Sequence, residues 1–179
     1  MNIVIAPAIG SDLQYLAAIE AEAASLFSLT DLPEPLRSTT LSQEVLQGSF
    51  RSGLLWVARD ANSQVVGYLM ASIVDNNFHI SQVDVSPKFG RQGIGSRLVD
   101  FSLSTASLAG YTLATLTTFK HVRWNAPFYE KFGFYEMATT ELGPELASIL
   151  EYEDSLGLKN RIAMTRELPY KSHFSGSVK

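Results

Sequence analysis

The segment best suited to chemistry is a glycine-rich loop at residues 89–97, which reads Phe-Gly-Arg-Gln-Gly-Ile-Gly-Ser-Arg. A strand pattern precedes this loop and a helical pattern follows it, which predicts that it lies at a helix N-terminus. The free amides and the dipole of a helix N-terminus favour an anion such as a pyrophosphate. Gly93 and Gly95 leave room for phosphate oxygens to approach the backbone. The loop is therefore a candidate phosphate-binding site.

The spacing of these glycines differs from that of two common nucleotide-binding motifs. No lysine follows the glycines as in the P-loop GxxxxGK[ST], and the order G-x-x-G-x-G is not the G-x-G-x-x-G of dinucleotide-binding proteins. ATP and NAD are thus disfavoured as ligands. A second interpretation stays open, because such glycines also serve simply to form a tight strand-to-helix turn.

Runs of apolar and β-branched residues predict the strands that must position this loop. They are residues 3–6, 54–59, 65–74, 79–85, 111–119, a strand from 134, and 161–168. Turn residues at 60–63 and 75–77 predict that the second, third and fourth strands form an antiparallel meander. Since the run 79–85 is followed by a helix and another strand, we expect a parallel crossover, which places ligands beyond the carboxyl ends of its strands.

Capping residues predict where the helices begin and end. The predicted N-terminal capping pairs are Ser11 with Gln14 and Thr40 with Gln43. The first of these helices is expected to reach Phe27. A third helix is predicted from Gly93 to Gly110, a short one after Asn125, and a last one over residues 144–156.

The charge and hydropathy of the chain exclude several classes of protein. With 14 Lys and Arg against 18 Asp and Glu, a net charge of −4 lacks the basic excess of a general nucleic-acid binder. Neither a membrane-length apolar run nor a signal-peptide pattern is present. We therefore expect a soluble, cytoplasmic protein with one domain at residues 1–169 and a loose tail at 170–179.

The chain contains no cysteine, and this limits the chemistry that it can perform. Disulfides, thiolate catalysis and cysteine-bound metal sites are excluded. The three histidines, His79, His121 and His173, are scattered along the sequence. No metal cofactor is expected.

Two sequence blocks together resemble the GNAT superfamily of N-acetyltransferases. They are VDVSPKFGRQGIGSRL at residues 83–98 and WNAPFYEKFGF at residues 124–134, similar to the acetyl-CoA motif and a later helix motif of that family. The resemblance implies a mixed α/β GNAT fold, with a strongly twisted sheet of six to seven strands flanked by helices. It also implies acetyl-CoA as cosubstrate. One departure is Gly90, where the family usually has Arg or Gln, so Arg91 and Arg97 are expected to supply the positive charge.

The resemblance further implies which residues hold the cofactor. The backbone of Val83, Asp84 and Val85 is expected to run beside the pantetheine arm as an added strand would. The residues expected at the pyrophosphate are Arg91, Gln92, Gly93, Ile94, Gly95 and Ser96. Those expected to touch the cofactor from the second block are Asn125, Phe128 and Tyr129. For Asn125 an alternative stays open, in which its side chain caps the short helix.

The resemblance also implies two catalytic groups. Tyr129 is expected to be the general acid that protonates the departing thiolate, since a phenol and a thiolate have similar basicity. The alternative is that Tyr129 only packs against the cofactor. His79 is expected to be the general base, because the pKa of an unperturbed histidine is near 6.5. Gln82 or Asp84 on the same strand are alternatives that would orient the amine.

The remaining expectations concern the acceptor. Direct transfer to a primary amine of a small metabolite or a peptide is favoured, since no cysteine can carry the acetyl group. Residues expected to line the acceptor channel are Thr117, Thr118, Phe119 and Trp124. The acidic side chains of the last helix, Glu151, Glu153 and Asp154, either attract a cation or form an ordinary solvated face. The rival function is a CoA-binding sensor without turnover, and a homodimer is the default assembly.

Overall fold

Seven strands form one mixed sheet in a computed structural model that describes residues 2–170. The strands are β1 (Val4–Pro7), β2 (Leu55–Arg59), β3 (Val65–Val74), β4 (Asn77–Val85), β5 (Leu113–Phe119), β6 (Tyr135–Glu136) and β7 (Arg161–Glu167). The helices are α1 (Leu13–Ala24), α2 (Glu34–Arg37), α3 (Gln43–Arg51), α4 (Ile94–Leu108), α5 (Ala126–Glu130) and α6 (Pro144–Ser155). The predicted mixed α/β sheet flanked by helices is confirmed. Every helix in the described part is too short or too polar to cross a bilayer.

The strands are ordered β1-β2-β3-β4-β5-β7-β6 across the sheet. Neighbouring strands are antiparallel except for the central pair of β4 and β5, which is parallel. A parallel pair needs a long connection, and α4 supplies it. The predicted meander of β2, β3 and β4 and the crossover that follows are both confirmed.

Helices cover both faces of the sheet, each with its own apolar core. Helix α4 presents Leu98, Val99 and Leu103 to one face, where they join Phe78 and Ile80 of β4 in the largest cluster. On the other face, residues of α1 and α3 pack against the first strands, and α6 packs on β7 through Leu146. Burial of these apolar stripes holds both ends of β4 in place.

The central strands part where the pairing of β4 with β5 ends. Their register runs only from Phe78 with Ala114 to Ile80 with Leu116, although both strands continue for several residues. At this point β4 has a bulge, since Met70 pairs with Gln82 and Ala71 with Ile80, so that Ser81 is the extra residue. A bulge bends a strand and redirects its side chains. The result is a V-shaped cleft between residues 81–85 and 117–119.

Two of the predicted N-terminal capping residues are wrong. The carboxylate of Asp12, not Ser11, accepts the amide hydrogen bond of Ile9 at the start of the first helix. Ser42, not Thr40, caps α3 by accepting from the amide of Val45. At both helix starts the sequence has more than one polar residue able to cap, and the path of the backbone decides which of them reaches a free amide.

The ends of two predicted segments also differ from expectation. Helix α1 stops at Ala24, so that Phe27 lies in the connection to α3 rather than on the helix. Tyr170, the first residue of the predicted tail, is buried, and its hydroxyl donates to the carboxylate of Asp100 at 2.8 Å. The rest of that predicted tail, 171–179, lies outside the described residues.

Candidate active site

The cleft between β4 and β5 is the candidate active site, with a volume of about 560 Å³. Residues 81–85 form one wall and 117–119 the other, and both strands present backbone groups there that no neighbouring strand uses. Unpaired strand edges of this kind recognise extended ligands through backbone hydrogen bonds. Helix α5, the first turn of α4 and the connection between α1 and α3 close the remaining sides.

One end of the cleft is built around the N-terminus of α4. Gly93 is the N-cap residue with φ of 73°, and no side chain within the described chain caps the helix, so the amides of its first turn stay open. Gly95 allows close packing, since a Cβ there would lie 3.7 Å from the ring of Phe128 and 3.8 Å from Val85. This end also contains Arg91, Arg123 and Lys131, and none of the described side chains that line it is acidic. The dipole and the three cations favour a polyanion.

The structure brings together most of the predicted cofactor residues, with two differences. Ile94 lines this end of the cleft, and because its side chain packs in the core its backbone amide suits a ligand contact, as expected. Gln92 is exposed and does not line the cleft. Arg97 donates to the carbonyl of Ile3 at 2.8 Å and ties α4 to the chain terminus, so the prediction of a phosphate-binding charge there is wrong. Arg123 and Lys131 lie at this end of the cleft, and no sequence motif indicated that they would.

Asn125 lines the cleft and does not cap the helix that follows it. It occupies the N-cap position of α5, but its side chain makes no capping hydrogen bond, and only its carbonyl accepts from the amide of Phe128. The capping alternative is therefore wrong. Asn125 lines the cleft together with Phe128 and Tyr129, as the cofactor interpretation predicts.

Tyr129 lies on α5 and lines the cleft close to both parted strands. Its ring packs edge-on against Phe128 and Phe134, which fix its direction. Burial raises the pKa of Tyr129 to about 12, and the positive charge of Arg161 acts in the opposite direction. A phenol with this pKa keeps its proton at neutral pH and is available as a donor.

His79 lies below the point where the strands part and does not line the cleft. Its side chain is buried, and Nδ1 is 2.9 Å from Oγ1 of Thr115 on the paired strand. Burial lowers the pKa of His79 to about 4, partly offset by the negative charge of Glu153. The expected pKa near 6.5 is thus wrong, and the histidine is neutral at physiological pH. His79 thus lies on β4, as predicted, but it does not line the cleft.

Asp84 is the titratable group that β4 does present to the cleft. Its carboxylate accepts from Nε2 of Gln82 at 2.6 Å and lies among protein atoms on the side of α1. Burial raises the pKa of Asp84 to about 6, with Gln82 acting in the opposite direction. Across the strand pair, the buried hydroxyl of Tyr68 has no hydrogen-bond partner of good geometry among the described residues. Sequence reasoning named Asp84 only for its backbone and as an alternative partner of the amine.

A second polar cluster closes the far side of the cleft. Arg161 of β7 donates to Glu153 of α6 from two nitrogens, at 2.9 and 2.7 Å, and also to Thr117 of β5. The guanidinium stacks 4.7 Å from the ring centre of Phe119. Of the acidic residues predicted on this helix, Glu153 therefore faces the cleft, whereas Glu151 and Asp154 are exposed. Arg161 was missed because its role depends on strand pairing far along the chain.

Comparison with known proteins identifies the class of protein to which this cleft belongs. Residues 51–136, which hold the meander, the phosphate loop, α4, β5 and α5, match the acetyltransferase (GNAT) domain family. The chain therefore contains an acetyltransferase (GNAT) domain and is an acetyltransferase.

Solved structures with the same fold extend over nearly the whole chain. PaiA N-acetyltransferase from Thermoplasma acidophilum, solved in complex with coenzyme A, is 18% identical with a TM-score of 0.70, covering 94% of this chain and 100% of that one. The ribosomal-protein-S18-alanine N-acetyltransferase of Escherichia coli is 16% identical with a TM-score of 0.66, covering 96% and 97%. A mosquito arylalkylamine N-acetyltransferase-like protein is 17% identical with a TM-score of 0.68, covering 93% and 100%. At these identities the likeness establishes the fold.

Proposed function

We propose that this protein transfers the acetyl group of acetyl-CoA directly to a primary amine while both are bound in the cleft. The observation that carries the proposal is the parting of β4 and β5, which opens a cleft with three cations at one end and carboxylates at the other. A pyrophosphate suits the first end and an ammonium the second. The acetyl group would then lie between them, near Tyr129.

The residues of the chain fit acetyl-CoA in three places. The open amides of Gly95 and Ser96, with Arg91, are suited to the pyrophosphate. Arg123 and Lys131 are suited to the further phosphate of the nucleotide end. The unpaired backbone of 83–85 is suited to the amides of the pantetheine arm, and the side chains of Val83 and Val85 stay in the core while it does so.

The bound ammonium loses one proton to become the attacking amine, and its nitrogen loses a second as the amide forms, which replaces the proton that the sulfur receives. The amine nitrogen attacks the thioester carbonyl carbon, a C–N bond forms, and the C–S bond breaks with its electron pair leaving on sulfur. In this proposal Tyr129 donates its proton to that sulfur, which its high pKa permits. Holding the two reactants side by side supplies much of the acceleration, and no covalent enzyme intermediate is needed.

We assign the proton acceptor to Asp84 rather than His79. Asp84 lines the cleft, and its pKa of about 6 lies near the value that suits a base at neutral pH. His79 has a pKa of about 4, and its side chain is buried and hydrogen-bonded to Thr115. Gln82 holds the Asp84 carboxylate in place from the same strand.

The test combines binding and turnover in wild-type protein and the Tyr129→Phe variant. Calorimetry with acetyl-CoA, CoA, ATP and NAD is expected to show binding of the two CoA species only. Mass spectrometry of an amine mixture is expected to show acetylated product, and Tyr129→Phe to lower kcat about 100-fold or more with little change in acetyl-CoA affinity.

The matched control is Tyr135→Phe, since Tyr135 is 53% exposed on β6 and does not line the cleft. It is expected to leave both measurements unchanged. Binding of CoA without transfer to any amine would contradict the proposal and favour a CoA sensor. An unchanged kcat in Tyr129→Phe would remove Tyr129 as the acid.

A further inference from the structure

The two ends of the cleft have opposite chemical character, and the end away from α4 is apolar with acidic groups. The only cation among the described residues that line this end is Arg161, and Glu153 neutralises it through two hydrogen bonds. Glu20 and Asp84 contribute two further carboxylates on the side of α1. This end, which we call the acceptor end, therefore has a negative balance.

The wall of the acceptor end is formed by the connection between α1 and α3, residues 25–42. Leu26, Leu32 and Leu36 of this connection line the cleft. Phe27 reaches across to the other wall, where its ring centre lies 5.6 Å from that of Phe119 and 4.7 Å from that of Trp124. Leu26 and Trp124 keep about half of their surface exposed, at 55% and 48%. Apolar and aromatic surface of this extent at a cleft is typical of a binding site.

Polar contacts hold this connection over the cleft. Asp31 accepts from Nε2 of His121, in the loop after β5, at 2.6 Å. Glu20 accepts from the amide of Leu41 at 2.9 Å, and Arg37 donates to the carbonyl of Phe27. The aromatic wall is thus fixed from both sides, which lowers the entropic cost of binding against it.

From this arrangement we infer that the acceptor is a small amine with one positive charge and an aromatic or branched apolar body, bound between Phe27, Trp124 and the carboxylates Glu20 and Asp84. This inference rests on the proposed function. An ammonium is attracted by the carboxylates, and the body buries apolar surface on the wall. An acidic amine meets like charge there, and a polyamine must desolvate a second ammonium against leucines. The cleft of about 560 Å³ also has to hold the pantetheine arm, which limits the acceptor to a small molecule.

The experiment measures kcat/KM for three amines with saturating acetyl-CoA, namely 2-phenylethylamine, spermidine and glutamate. We expect 2-phenylethylamine to exceed the other two by about tenfold or more, the discrimination that one apolar group provides in a pocket. Equal or faster transfer to spermidine or glutamate would overturn the inference and leave the proposed function standing. No transfer to any of the three by protein shown to be folded would overturn the inference, and the amine mixture described above then decides separately whether the proposed function stands.

Variants of the connection give a second readout. Phe27→Ala is expected to raise KM for 2-phenylethylamine about tenfold through lost apolar contact, with the affinity for acetyl-CoA unchanged. Leu36→Ala, expected to act in the same direction, replaces it if Phe27→Ala does not fold. Leu29→Ala is the control, because Leu29 belongs to the same connection, is 59% exposed and does not line the cleft. Equal KM values for all variants and wild type would overturn the assignment of the wall.

Discussion

His79 and Asp84 lie five positions apart on one strand, yet burial shifts their pKa values in opposite directions. Burial disfavours the charged form of each group, which lowers the pKa of His79 from 6.5 to about 4 and raises that of Asp84 from 3.8 to about 6. His79 binds a proton more tightly in the unfolded state than in the folded state, so its contribution to the free energy of unfolding decreases as pH falls from 6.5 to 4. Asp84 binds a proton more tightly in the folded state, so its contribution to the free energy of unfolding decreases as pH rises from 3.8 to 6.

We therefore predict opposite pH dependences for two single variants. Asp84→Asn is expected to equal wild type in free energy of unfolding below about pH 4 and to exceed it by up to about 3 kcal/mol above pH 6. His79→Gln is expected to gain on wild type as pH falls from 6.5 to 4, by a similar amount of about 3 kcal/mol. Urea unfolding at a series of pH values measures both differences. The pH dependence that other titrating groups contribute is the same in variant and wild type and cancels in the difference.

Two results would contradict this prediction. A difference between Asp84→Asn and wild type that does not vary with pH would mean that Asp84 is ionised at its usual pKa. The same result for His79→Gln would mean that His79 accepts a proton freely in the folded state.

At the scale of single elements, α4 begins and ends with a left-handed glycine. Gly93 at its start has φ of 73° and Gly110 just beyond its end has φ of 89°, and an added Cβ would meet no atom within 4 Å at either position. The local cost of a side chain is therefore alike at the two sites, since it comes from the backbone alone. Only Gly93 lies in the cleft.

This symmetry gives a matched pair of variants. Gly93→Ala and Gly110→Ala are each expected to lower the free energy of unfolding by about 1–2 kcal/mol. Only Gly93→Ala is expected to weaken CoA binding, because its methyl group stands where phosphate oxygens approach the first turn. Calorimetry with CoA and urea unfolding give the two quantities. Equal CoA affinities for both variants would mean that the loop at 89–97 is only a structural turn.

At the scale of the whole molecule, the sheet consists of two parts joined along a short seam. Strands β1 to β4 form one part and β5, β7 and β6 the other, and the seam is the three-residue pairing of 78–80 with 114–116. Beyond the seam the cleft leaves backbone groups of both strands without a strand partner. An extended ligand placed there would restore part of the missing ladder.

We predict that CoA slows hydrogen exchange on both sides of this cleft. The amides of 81–85 and 117–119 that lack a strand partner, and those of the first turn of α4, are expected to become protected. The paired amides of the β2–β3 hairpin serve as an internal control and are expected not to change. Hydrogen–deuterium exchange with mass spectrometry, with and without CoA, measures this. Protection confined to the α4 turn would mean that the pantetheine arm does not lie between the strands.

The local elements of this protein were predictable because each is encoded by a nearby pattern. The glycine loop, the amphipathic α4 and the meander follow from turn residues and from hydrophobic periods of 3.6 and 2. Tyr129 and the loop at 89–97 were found because short blocks carry their resemblance. Helix ends were less predictable, as Asp12 and Ser42 show, because adjacent polar residues are equally able to cap.

The tertiary structure alone decided which side chains meet in the cleft. The bulge at Ser81 shifts the alternation along β4, so that Val83 and Val85 join Phe78 and Ile80 in one core and Asp84 lies on the opposite face of the strand, where it lines the cleft. No local sequence pattern predicts this bulge. Arg161 and Glu153 meet Thr117 only through the pairing of β5 with β7 and the packing of α6. Sequence patterns carry short-range preferences, whereas burial, pKa and side-chain partners depend on residues distant in the chain. The sequence by itself thus determined the class of enzyme and the position of the glycine-rich loop, whereas the fold decided that Asp84 rather than His79 lines the cleft and which side chains form the acceptor end.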